Sequence, residues 1–170
     1  MGVQVTGFQS LQVLFVETDE QLEELRREMF VVKDPNLIAL SKHPVFPERA
    51  DYFPSGFFRS TGETHKCDAW GTADYAGFKK ILAEKFYGRP LPAIFEEPLP
   101  GPFFELLYFQ ENGQHYMMGP KTSEKLARDF ADSRSQAEGL GGAFFNMYAH
   151  LQKACELSSR SGAVRFNASP

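Results

Sequence analysis

Residues 65–68 read His-Lys-Cys-Asp, which puts an imidazole, a thiol and a carboxylate within four positions. These are the side chains that hold transition metals, and a Cys beside a His can also work as nucleophile and base. On an extended chain His65 and Cys67 share a face, but nothing nearby completes a set of four ligands. His43, His115 or His150 could join them only through the fold. No metal or cofactor is therefore expected. His65, Cys67 and Asp68 stand as the metal candidates, and a solvated polar stretch is the favoured reading. Cys67 with His65 or His115 as base matches no signature of a Cys–His enzyme.

Glu105 is the second residue of chemical interest, because it sits inside the apolar run FFELLYF at 103–109. If that run is a buried strand, the carboxylate lies among Phe104, Leu106 and Leu107 and needs a partner or a raised pKa, and such groups are enriched at functional sites. Lys125 or Arg128 could supply the partner. Strand alternation would instead turn Glu105 to solvent. An enzyme built on this chain would use Glu105, His115, Lys125 and Asp129. Nucleotide-binding glycine motifs, a nucleophile elbow, a His-Glu-x-x-His helix and paired Cys-x-x-Cys sequences are all absent.

The elements that must position these groups are legible as follows. LQVLFV at 11–16 reads as a buried strand. Thr18 and Gln21 have the spacing of a capping box, which starts a helix running to about Met29. Residues 33–52, with Pro35, Pro44 and Pro47, read as irregular. Residues 53–58 read as an edge strand because of Pro54, and 60–75 as a polar loop. Tyr75, Phe78, Leu82 and Phe86 form one stripe of a helix over 74–87, ended by Gly88 and Pro90. The Pro-rich stretch 89–102 reads as a rigid loop over the core. The run 103–109 reads as a central strand, Asn112-Gly113 as a turn and 115–118 as its paired strand. A helix over 123–133 turns Leu126, Ala127 and Phe130 inward and carries Glu124–Arg128 and Lys125–Asp129 as surface pairs. Phe144, Met147, Tyr148, Leu151, Ala154 and Cys155 mark the strongest helix, and 163–166 reads as a last strand.

Composition bounds the class. The chain has 170 residues, enough for one domain with a core of its own, and 17 of them are Phe, which points to a Phe-rich core. Net charge is −4, and no Lys/Arg run makes a phosphate-tracking stripe, so nucleic acid is not an expected partner. Two distant cysteines do not make a disulfide framework. The first twenty residues lack the pattern of a signal peptide, and no window is apolar enough to span a bilayer, so a cytoplasmic protein without a membrane partner is expected.

Gly101-Pro102-Phe103, Glu105-Leu106, Phe109, Gly119-Pro120, Lys125-Leu126-Ala127 and Asp129-Phe130-Ala131 together form a pattern GPFxELxxF…GP…KLAxDFA. With Gly162, Val164 and Phe166 after the last helix, this segment resembles a family of small uncharacterised bacterial proteins over about residues 70–166. Family members carry acidic residues and a cysteine after the strand, where this chain has Gln110-Glu111-Asn112-Gly113. The resemblance implies a bacterial origin and one compact fold, and no reaction.

The expectation is a single α+β domain over 1–170, with about three to four helices packed on a small, mainly antiparallel sheet. The favoured function is a non-enzymatic binding protein, of immunity or inhibitor type, acting on a partner protein. The alternative is the small enzyme around Glu105, His115, Lys125 and Asp129.

Overall fold

A computed structural model describes residues 2–34, 36–40, 56–108 and 116–169. The centre is β1 (Gly2–Phe8), whose alternating Val3 and Val5 are buried. It pairs antiparallel along its whole length with β8 (Ala163–Ser169). Its other edge takes β5 (Thr64–Lys66) and then β6 (Trp70–Gly71), both antiparallel. Strand β7 (Tyr116–Met118) pairs with β8. A second, three-stranded sheet has β4 (Gly56–Ser60) between β2 (Leu11–Leu14) and β3 (Leu37–Leu40).

The α+β class is as expected. Four longer helices lie where the periodicity puts them: α1 (Asp19–Arg27), α2 (Thr72–Leu82), α5 (Pro120–Asp132) and α7 (Gly142–Ser158). Thr18 and Gln21 form the full capping box on α1. Helices α1 and α2 each run on into a π-helical turn, at Glu28–Val32 and Ala83–Tyr87, and Gly88 ends the second at φ +77°. Three short helices are added: α3 (Leu91–Glu96), α4 (Phe104–Tyr108) and α6 (Arg134–Leu140).

Several expectations are corrected. The Pro-rich stretch is not wholly irregular, because proline is tolerated in the first turn of a helix, and α3 carries its proline there with Ile94 buried. Residues 37–40 are strand, not irregular chain, and β4 is a central strand rather than an edge. Part of the 60–75 stretch is β5 and β6. The run after Phe103 is a helix: Leu107 N–H donates to the Phe103 carbonyl, and a helix buried on nearly all sides is apolar all round, as a central strand would be. Strand β7 therefore pairs with β8 and not with 103–109. Residues 41–55 and 109–115, with the Asn112-Gly113 turn, lie outside the described residues.

The helices cover one face of the main sheet. Trp70, Tyr75 and Phe78 stack in succession there, and Phe103, Phe130 and Tyr148 meet edge to face. Helix α7 lies directly on β1 at Gly7, where an added Cβ would stand 2.7 Å from the Ala154 carbonyl oxygen, so only glycine permits the approach. On the other side Phe8, Met117 and Ala163 form a smaller core with Ile38 and Phe58 of the second sheet. Among the described residues, no helix is long and apolar enough to cross a membrane.

Candidate functional site

Glu105, Lys125 and Asp129 come together. Glu105 is only 7% exposed, and it lies on α4, so strand alternation does not apply to it. The Lys125 ammonium has three donors and makes three contacts: the Glu105 carboxylate at 2.7 Å, the Asp129 carboxylate at 2.8 Å and the Gly101 carbonyl at 2.8 Å. The same Asp129 oxygen accepts from the Phe103 amide at 2.8 Å. Phe103 sits at φ +58°, a sparsely populated conformation for a bulky residue, and its ring is fully buried against Phe86, Phe130 and Tyr148. The three charged groups thus pin the turn 101–105 to α5. The Lys125–Asp129 pair read from spacing as a surface pair is turned into this clamp. His115 lies outside the described residues.

The second constellation is assembled by register. His65 is directly opposite Gly7 across the β1–β5 pairing, and the Cys67 amide donates to the Val5 carbonyl at 2.9 Å. His65 and Cys67 therefore project on the face where α7 rests on Gly7. One helical turn before Ala154, His150 reaches the same point. His150 Nδ1 and His65 Nε2 are 3.3 Å apart with their rings stacked, and the Cys67 thiol donates to the His150 carbonyl at 3.6 Å. The three potential ligand atoms lie within 4.8 Å of one another, with Cys67 buried and both histidines half-buried. Asp68 is exposed and is not in the cluster.

Burial, then the Lys153 cation and His150, holds His65 below the usual imidazole range. Burial, with the Asp68 carboxylate adding to it, pushes the Cys67 thiol up to about 12. Such a thiol is protonated at neutral pH and is a poor nucleophile. An open cleft of about 350 Å³ adjoins the cluster, lined by Thr64, His65, Lys153, Glu156 and Arg160 among others. Sequence spacing could not pair His150 with His65, since they are 85 residues apart and meet only because α7 packs across β1 and β5.

A third feature is a set of exposed apolar side chains in and just after β2 and in the π-helical turn that follows α1. Phe15 is 84% exposed, and the consecutive Phe30, Val31 and Val32 are 71%, 74% and 65% exposed. Val13 and Val16 are exposed as well. The stretch 11–16 read as a buried strand is strand only over Leu11–Leu14, and its Val13, Phe15 and Val16 are exposed. Helix α1 buries no residue fully, and its outer face carries Asp19, Glu20, Glu23 and Glu24 with Arg26 and Arg27 in its last turn. An ion pair between Glu28 and Arg59 ties the π-helical turn to β4.

Compared with models of known protein families, with curated proteins and with solved structures, the chain matches none of them.

Proposed function

We propose that this chain is a binding module that docks a partner protein on the apolar surface of Val13, Phe15, Val16 and Phe30–Val32. The observation that carries the reading is the run Phe30-Val31-Val32, three consecutive large apolar residues each at least 65% exposed at the end of a helix. A run of large apolar side chains held in water is what a partner's apolar surface covers. The outer face of α1 carries Asp19, Glu20, Glu23 and Glu24 against Arg26 and Arg27, a net negative balance that suits a partner with a mainly basic rim. A net charge of −4 makes nucleic acid a poor partner for the same face. We place the protein in a bacterial cytoplasm, in line with the resemblance of residues 70–166, and give it an immunity or inhibitor type of role. The competing enzyme reading has less support, because all three donors of Lys125 are taken up by backbone and carboxylates.

The test compares the wild-type chain with a Phe30→Asp/Val31→Asp variant as baits in the native lysate, with circular dichroism to verify that both are folded. A stoichiometric partner retained by the wild type and lost by the variant supports the reading. Equal capture by both baits, or no partner for either, overturns it.

A further inference from the structure

Independently of the docking surface, we propose that His65, Cys67 and His150 bind one thiophilic transition-metal ion of the zinc type, in a three-ligand site that leaves a fourth position to solvent. Two imidazole nitrogens bound to one tetrahedral ion at ordinary zinc distances stand about 3.3 Å apart. His65 Nε2 and His150 Nδ1 already stand 3.3 Å apart. A thiolate on the same ion would lie about 3.6 Å from each nitrogen. Cys67 Sγ is within 4.8 Å of both, so a shift of the sulfur by about 1 Å, with a turn of the two rings from each other toward the ion, closes the set.

The scaffold favours this geometry. His65 lies on the edge strand β5, Cys67 follows directly after it with its amide bonded to the Val5 carbonyl of β1, and His150 is fixed by the seating of α7 on Gly7. The two halves of the site thus come from elements that the core already holds together, and little further ordering is needed on binding. Two imidazoles and one thiolate suit zinc, cobalt or copper and do not suit magnesium or calcium, which take oxygen ligands. The cleft beside His65, lined by Lys153 and Arg160 and by Glu63 and Glu156, is the route in for the ion and for the solvent molecule at the fourth position.

Binding balances as follows. The S–metal bond forms as the Cys67 S–H bond breaks, and that proton leaves to water. Without an ion one of the two facing imidazole nitrogens donates to the other. With an ion both present lone pairs, and the donor ring carries its proton on its other nitrogen. One proton is released for each ion bound.

The experiment titrates the chelator-treated, full-length chain with Co²⁺ and then displaces it with Zn²⁺, alongside competition against a chromophoric chelator. One equivalent of cobalt is expected, with intense tetrahedral visible bands, a thiolate-to-cobalt charge-transfer band and full displacement by zinc. Loss of a second-shell partner typically costs 10–100-fold in affinity, so Cys67→Ser and His150→Gln should each weaken zinc binding by at least about 100-fold. Absence of saturable binding overturns the proposal and leaves the histidines as a hydrogen-bonded pair. A weak octahedral cobalt spectrum without charge transfer, or zinc affinity unchanged in both variants, overturns it too. The cobalt spectrum of the unaltered chain decides the matter even if a variant fails to fold.

Discussion

Lys125 shows how a residue that looks catalytic by type is bound into structure by its surroundings. Its ammonium neutralises two carboxylates, and one of these, through the Phe103 amide, holds a buried ring in a left-handed backbone conformation. Replacing Lys125 by Met removes the cation and leaves Glu105 and Asp129 close together and short of a partner. Breaking one side of a fully buried ion pair costs about 3–5 kcal/mol; with the Lys125 side chain 31% exposed, water makes up part of the loss, and about 2–3 kcal/mol is the expected destabilisation. Denaturant unfolding of Lys125→Met against wild type measures it. A change under about 0.5 kcal/mol would mean that the clamp contributes nothing and that the three groups are kept for another purpose. The sequence pointed to Glu105, Lys125 and Asp129 because a carboxylate in an apolar run needs a cation. It could not tell a clamp from an active site, because that depends on where the ammonium's third hydrogen goes, and the Gly101 carbonyl is visible only in the fold.

At the scale of elements, what was legible is what local physics fixes. The Thr18–Gln21 capping box, the Tyr75–Phe78–Leu82 stripe and the Met147–Leu151–Cys155 stripe each specify a helix through contacts within a few residues, and all three helices are present. What was not legible rests on tertiary context. FFELLYF is apolar but for Glu105, so its periodicity carries little information, and burial on nearly all sides suits a short helix as well as a strand. Strand β1 went unread although Val3 and Val5 alternate, and its importance comes from the strands on both its edges. The same contact that hides His150 from the sequence offers a test. Gly7→Ala would set a Cβ 2.7 Å from the Ala154 carbonyl and 2.8 Å from its Cα, which is backbone and cannot rotate away. Helix α7 must lift from β1, at a cost of about 1–3 kcal/mol. Because α7 carries His150 while β5 and the residue just after it carry the other two ligands, the variant should also lose zinc affinity while keeping all three ligand residues. Calorimetric titration of the folded variant checks this, and unchanged affinity would show that the ligands do not depend on the seating of α7.

The molecule as a whole divides its stability unequally between two cores. The main core draws on the helices and both edges of the central sheet, whereas the smaller one is Phe8, Ile38, Phe58, Met117 and Ala163 under the second sheet. Helix α1 hangs on the smaller side, with no residue fully buried and with Leu22 and Leu25 only half covered. Its local supports are the capping box, worth about 1 kcal/mol, and the exposed Arg26–Glu23 pair, worth a few tenths at about the usual surface value. Helix α7 instead buries Met147, Tyr148, Leu151, Ala154 and Cys155. Amide hydrogens of α1 and the following π-helical turn should therefore exchange through local opening, and those of α7 only through opening that approaches global unfolding. The expected ratio of protection is at least about a hundredfold, measured by hydrogen exchange with mass spectrometry on the free chain. The weakly held end is also the end that presents Phe30–Val32, so a partner covering that surface should slow exchange across residues 20–32 and leave α7 as it was. Protection that rose on α7 instead would move the docking surface to the opposite side of the main sheet.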